Sequence, residues 1–204
     1  MMGIKAACMG NHDFDFGVEH LVDNCVKKCD FPWLLSNAYD KETGKFLGMY
    51  RSHVILVEGA RDLEHCVSVG ERLAQGRDAV MLEHGGWKIG LMGLIEEEWL
   101  LTLSTIEREE VDYYDFVGVA RDLNKRLRKE GADIVIALTH MRTPNDMRLA
   151  NEVPEIDLIL GGHDHDEYSE VTPQSLRPPT SAHTSQLHRV NTPLTQCKRT
   201  AGSV

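Results

Sequence analysis

Three short apolar runs, each ending on polar side chains that bind metals, constrain this chain more than any other feature. Ala6-Ala7-Cys8-Met9 leads into Gly10-Asn11-His12-Asp13-Phe14-Asp15-Phe16-Gly17. Ile134-Val135-Ile136-Ala137-Leu138-Thr139 leads into His140, and Leu158-Ile159-Leu160-Gly161-Gly162 leads into His163-Asp164-His165. Short apolar runs bounded by glycine or polar residues read as buried strands. In open α/β sheets, ligands gather at the carboxyl ends of strands. Three strand ends carrying imidazole, amide and carboxylate groups are therefore expected to meet at one metal site.

The stretches between them alternate in period. Val18, Leu21, Val22, Cys25, Val26 and Cys29 follow helical spacing, with Phe31-Pro32 ending the helix. Trp33 to Asn37 reads as a strand, Lys41 to Lys45 as a turn and Tyr50 to Val57 as another strand. Gly59 to Asp78 is charged, with little apolar pattern, and is read as a surface insertion (59–78). Val80 to His84, the turn Gly85-Gly86 and Trp87 to Ile95 form a hairpin. Glu96-Glu97-Glu98 before Trp99 reads as a solvated first helical turn, with the acids favoured by the helix dipole, in preference to a cation site at the triplet. Asp115 to Glu130 is an amphipathic helix with Phe116, Val119, Ala120, Leu123 and Leu127 inward and Gly131 as its cap. Asp133 to Thr139 is a strand, Pro144 opens a helix to Ala150, and Ile156 to Leu160 is the last strand. That order implies an α/β architecture.

A chain of 204 residues suits one domain, or one domain and a tail. The expected division is a catalytic domain over 1–170 and a tail over 171–204. The tail contains no Asp or Glu and four of the seven prolines, and reads as disordered. A net charge of −10 argues against nucleic acid or a membrane surface as partner. No run approaches the roughly 18 apolar residues of a membrane span. Met1 to Lys5 opens without the long apolar stretch of a signal peptide, so the cytoplasm is the default location. Five cysteines without regular spacing suggest neither a disulfide framework nor a thiolate zinc module. The sequence leaves the oligomeric state open.

Metals that activate water on phosphate esters often come as pairs, held by imidazole, amide and carboxylate ligands. Asn11, His140, His163 and His165 are of the right types. A single histidine after a strand is more often structural, but three such strand ends favour a site. His53, His65, His84, His183 and His188 read as surface or structural residues. His12 adjoins Asn11 and, in a tight loop, can face the substrate while Asn11 faces the metal. Asp15, three residues on, is placed to hold its ring. A charged imidazole there would stabilise negative charge or protonate a leaving alkoxide. The competing reading gives Asp13 or Asp15 a capping role at a helix N-terminus.

Gly10-Asn11-His12-Asp13, Thr139-His140 and Gly162-His163-Asp164-His165 together resemble the calcineurin-like metallophosphoesterases. The run Asn11 to Gly17 and the run Val153 to His165 resemble the branch that includes the 5′-nucleotidases. The resemblance spans roughly residues 4 to 168. It implies an αββα sandwich with a dinuclear centre of divalent ions, with zinc, manganese, iron and cobalt all suited to such ligands. It implies Asn11, His140 and His163 as ligands of one ion, His165 as a ligand of the other, and His12 paired with Asp15 as the catalytic histidine. The implied reaction is attack of metal-activated water on the phosphorus of a small phosphorylated substrate, such as a nucleotide.

The family pattern also has an Asp-x-His and a Gly-Asp before the Gly-Asn-His-Asp motif, and neither occurs in these 204 residues. The sandwich is therefore expected to be incomplete at the N-terminus, with weak metal retention, exposed strand edges and low activity. The alternative is a non-catalytic, truncated relative that binds one ion, or a protein partner through an exposed sheet edge.

Overall fold

The computed structural model describes residues 3–41 and 76–170. The expected strand at Tyr50 to Val57, most of the 59–78 insertion, His53, His65 and the 171–204 tail lie outside the described residues. Eight strands are present in this part: β1 (Ala7–Cys8), β2 (Trp33–Leu34), β3 (Ala38–Asp40), β4 (Ala79–His84), β5 (Trp87–Ile95), β6 (Val111–Tyr113), β7 (Ile134–His140) and β8 (Leu158–Leu160). The α-helices are α1 (Val18–Leu21), α2 (Phe116–Lys129) and α3 (Thr143–Glu152). β4-β5-β7-β8 form one sheet, with β4 antiparallel to β5 and the other pairs parallel. β1 pairs with β2 in parallel, and β3 pairs with β6 antiparallel.

Strand alternation separates two cores. Met92 and Leu94 of β5, with Val135 and Ala137 of β7, pack under α2 and α3. Ile95, one residue out of phase, joins Met9, Phe14, Leu21, Leu35 and Trp99 in a second cluster on the opposite face. The layers run from α2 and α3, through the four-stranded sheet, to β1-β2 and β3-β6, and then to α1. This is the mixed α/β sandwich expected from the sequence.

α2 buries the five predicted positions together with Val117 and Asn124. The Asp115 carboxylate caps it by accepting the Val117 N–H at 3.0 Å. Gly131, at φ +97°, takes the left-handed conformation that ends such a helix. The helix at Val18 is shorter than its apolar stripe suggests: after α1 it widens into a π-turn over Val22–Val26.

Other differences come from pairing across the fold. The strand expected from Trp33 to Asn37 is regular only at Trp33–Leu34. Beyond it, Ser36 and Asn37 take over from β4 along the edge of β5. Gly93 N–H donates to Ser36 Oγ at 2.9 Å, and Ile95 N–H donates to Asn37 Oδ1 at 3.0 Å. Gly76–Asp78, the end of the stretch read as an insertion, runs beside β2, with Arg77 N–H donating to Trp33 O at 2.8 Å. β3 and β6 are too short to show a periodic pattern. β8 was expected to be buried, yet Leu158 and Leu160 are 45% and 44% exposed. Among the described strands only β7 pairs with β8, so β8 forms an edge of the sheet. The acidic triplet also differs. Glu97 and Glu98 are exposed as expected, but Glu96 is fully buried.

β5 is packed closely on both faces. A Cβ at Gly93 would lie 2.5 Å from Leu34 Cβ and 2.7 Å from the Leu34 carbonyl oxygen, whereas at Gly90 it would meet only Leu127 side-chain atoms at 3.0–3.1 Å. Gly93→Ala should therefore destabilise the chain by about 1–3 kcal/mol and cost more than Gly90→Ala. Urea denaturation of the two variants beside the parent checks the order.

Candidate functional site

The site forms where β1, β5, β7 and β8 end. The parallel register of β5 and β7 sets Ile95 opposite His140. Alternation along β7 turns Thr139 towards α3 and His140 towards the β1 side. Thr139 Oγ1 donates to Asp146 Oδ1 of α3 at 2.6 Å. The His140 ring lies so close to Gly10 that a Cβ there would sit 2.6–2.8 Å from three ring atoms. This is why the residue before Asn11 has no side chain. Trp99, wholly buried, anchors the end of β7 by donating its Nε1–H to the His140 carbonyl at 3.2 Å.

Asn11 opens the 3-10 turn Asn11–Phe14, which follows β1 directly. The Asp13 carboxylate accepts the Gly10 N–H at 2.8 Å and closes that turn, so the capping role falls to Asp13. Asp15 does something else: its Oδ2 lies 3.1 Å from His12 Nδ1, in an exposed pair. His12 is thus paired with Asp15 while its neighbour Asn11 joins His140.

Asn11 Oδ1 lies 2.9 Å from His140 Nε2, and His163 Nδ1 lies 3.2 Å from the same nitrogen. The His163 backbone is at φ +86°, a conformation unfavourable for a residue with a side chain. Thus β1, β7 and β8 deliver Asn11, His140 and His163 to one point. His165 is exposed, and no hydrogen bond, ion pair or ring contact joins it to the cluster. The structure does not bring this fourth expected ligand in. It lies on the exposed loop beyond β8, outside every described strand.

The donor set suits a cation. Nε2 of His140 carries at most one proton for two close neighbours, and an amide oxygen cannot supply another. Burial, with the neighbouring His163 and His12, lowers the His140 pKa to about 4, so the ring is neutral near pH 7 with a free lone pair. Two lone-pair atoms at 2.9 and 3.2 Å from His140 Nε2 fit, with that nitrogen, a shared ion with bonds of roughly 2 Å. Among the described residues no trio of His, Cys, Asp or Glu is gathered in this way, because the third donor here is an amide.

Glu96 is the residue that sequence reasoning set aside, ranking a solvated turn above a cation site at the acidic triplet. It follows β5 directly, and its Oε1 lies 3.6 Å from His163 Nε2. Its Oε2 accepts from Arg142 N–H at 2.8 Å and from Asn145 Nδ2 at 2.7 Å. The strand-end argument that selects His140 would also have selected Glu96, had it been applied to the strand beside β7.

Residues 2–167 match the family model described as calcineurin-like phosphoesterase. The chain belongs to the calcineurin-like phosphoesterase family. An apyrase from Tabanus yao is 29% identical over 167 residues, covering 81% of this chain and 25% of the relative. A 5′-nucleotidase from Vibrio parahaemolyticus is 30% identical over 178 residues, covering 79% of this chain and 26% of the relative. The structure of a 5′-nucleotidase precursor from Thermus thermophilus superposes with a TM-score of 0.60 at 20% identity, covering 86% of this chain and 29% of that one. This chain therefore spans about a quarter of the length of the curated relatives it matches. No helix among its described residues is long and apolar enough to cross a membrane.

Two predictions follow from the packing and the charges of this region. Gly10→Ala should displace the His140 ring, shifting its NMR resonances more than those of any other histidine. The second concerns pH in the metal-free protein. Asp146 is raised to about 6 by burial, opposed by the Thr139 hydroxyl and assisted by Glu96 and Asp164. Its folded pKa exceeds its unfolded one, so its contribution is lost as pH rises from about 3.8 through 6. His140 is depressed, so protonating it costs stability as pH falls from about 6.5 towards 4. The two slopes oppose each other. Asp146→Asn should be more stable than the parent at pH 8, lose that gain by pH 4, and fall more steeply between these limits. Thermal melts across pH in a chelator check this.

Proposed function

We propose that this chain carries a divalent-metal phosphoester hydrolase centre of the 5′-nucleotidase type, acting on small phosphorylated substrates such as nucleotides. The observation that carries the reading is the convergence of Asn11, His140 and His163 from three separate strand ends. These residues are assigned as ligands of one ion (zinc, manganese, iron or cobalt). His165 is assigned to a second ion by its place in the Gly162-His163-Asp164-His165 motif. An ion so bound supplies Lewis-acid polarisation of a phosphoryl oxygen and an activated water as nucleophile.

The remaining chemistry belongs to the chain's own side chains. The His12 side chain is 82% exposed beside the cluster, and Asp15 holds its Nδ1. With Nδ1–H donated to the carboxylate, Nε2 is the atom that gives a proton to the departing alkoxide. The relatives named as apyrase and 5′-nucleotidase support a nucleotide as substrate. The catalytic unit is assigned to 1–170, in keeping with a family match that ends at residue 167.

One observation favours a second, leaner reading. Among the described residues three neutral donors converge, and the 204 residues contain neither Asp-x-His nor Gly-Asp. On that reading the chain binds a single ion and hydrolyses slowly or not at all. Calorimetric titration of the metal-free chain with Mn²⁺, Zn²⁺ or Co²⁺, paired with hydrolysis of a nucleoside monophosphate, separates the two. His140→Ala should weaken binding at least tenfold under either reading. Under the hydrolase reading His12→Ala should leave binding intact and abolish turnover. Unchanged metal affinity in Asn11→Ala and His140→Ala would remove the basis of both.

A further inference from the structure

Glu96 holds a position that no part of the proposed chemistry uses. Its side chain is 1% exposed. Both donors to its Oε2, the Arg142 N–H and the Asn145 amide, come from the start of α3 and fix the carboxylate in place. The other oxygen, Oε1, is buried and has no hydrogen-bond partner among the described residues. The cationic or ring nitrogens nearest it are His163 Nε2 at 3.6 Å and Arg142 Nε at 3.8 Å. A buried carboxylate oxygen without a donor is costly, and a shift of a few tenths of an ångström would bring His163 into bonding range. The opposite nitrogen of the same ring, Nδ1, lies 3.2 Å from His140 Nε2. The imidazole is thus strung between a fixed carboxylate and the donor cluster.

We propose that Glu96 is the positioning residue of the site: it accepts the Nε2–H of His163 and so aims the Nδ1 lone pair at the point shared with Asn11 and His140. Resting on the metal-site reading, this adds a residue and an atomic role to it. The logic is general, because a metal-binding imidazole needs its far nitrogen protonated and held, usually by a carboxylate or carbonyl. The need is acute at His163. Its backbone sits at φ +86°, and beside the bridge to Met141 little regular pairing orients the loop. Glu96 also ties ring orientation to the start of α3, since one carboxylate faces both.

The test exploits an asymmetry. In Glu96→Gln the amide oxygen must take the Oε2 place, where two donors already point. The NH₂ group then faces His163, turning an acceptor into a donor. That should move the His163 proton to Nδ1 and occupy the lone pair that faces the cluster. Long-range ¹H–¹⁵N correlation spectra of the metal-free, ¹⁵N-histidine-labelled chain report the tautomer, with His163→Gln assigning the signal. The expected result is a proton on Nε2 in the parent and on Nδ1 in Glu96→Gln. Mn²⁺ or Co²⁺ affinity should also fall by about 10–100-fold in a variant whose circular dichroism is unchanged. A parent chain with the His163 proton on Nδ1 overturns the proposal without any variant, even if Glu96→Gln fails to fold. An unchanged tautomer and affinity in a folded Glu96→Gln overturns it too. Metal affinity unaffected by Asn11→Ala and His140→Ala would sink the metal-site reading, an outcome separate from either tautomer result.

Discussion

The parallel ladder between β5 and β7 is the constraint on which the rest of this molecule depends. Its register, Ile89 opposite Ile134 through Ile95 opposite His140, brings both strands to their carboxyl ends together. Every group of the candidate site is placed relative to that line. His140 ends β7, Glu96 follows β5, Asn11 follows β1 on the adjoining layer, and His163 follows β8 beside β7. A slip of one residue in β7 would turn His140 away from Gly10 and Asn11 and put Thr139 in its place. The apolar sets of β5 and β7 pin the register, because Met92, Leu94, Val135 and Ala137 must all lie under α2.

Buried polar side chains do the joining that short strands cannot. Asn37 accepts from Ile95 N–H and donates to the carbonyls of Ile95 and Tyr114 at 2.9 and 3.0 Å, linking the end of β5 to the segment leaving β6. Ser36 does the same at Gly93 and Asp78. Such groups are tolerated in the interior because nearly every donor and acceptor is matched. Glu96 Oε1 is among the few buried exceptions, with Trp33 Nε1, Asn124 Oδ1 and Arg126 Nε, and of these it is the one that lies beside His163.

Much of this was legible from residue order. The helical stripe of α2 and its Gly131 stop, the Gly85-Gly86 hairpin and the apolar run of β7 are local patterns, readable wherever they fold. So was the candidacy of Asn11, His140 and His163 for one site, because each stands at or within a few residues of the end of an apolar run. The misreadings have non-local causes. Glu96 looked like a solvated acid because two exposed acids follow it; only the start of α3 and His163, far along the chain, make it an interior group. Leu158 and Leu160 look like core residues by composition, but burial on a strand depends on what lies beside it, and β8 has a described neighbour on one side only. β3 and β6 pair across more than seventy residues of chain, with three residues each and no period to detect.

The order of residues alone determined which groups could take part: the amide, the imidazoles and the His12–Asp15 pair three residues apart, together with the strand and helix periods that carry them. These are properties of side-chain type and short-range spacing, and they need no neighbour to be read. Tertiary structure alone decided which of those groups meet. It set Asn11 and His163 at 2.9 and 3.2 Å from His140 Nε2, left His165 on the open loop, and put a buried carboxylate behind His163. Proximity between residues more than a hundred positions apart is set by strand register and layer packing, and neither is written in the local sequence.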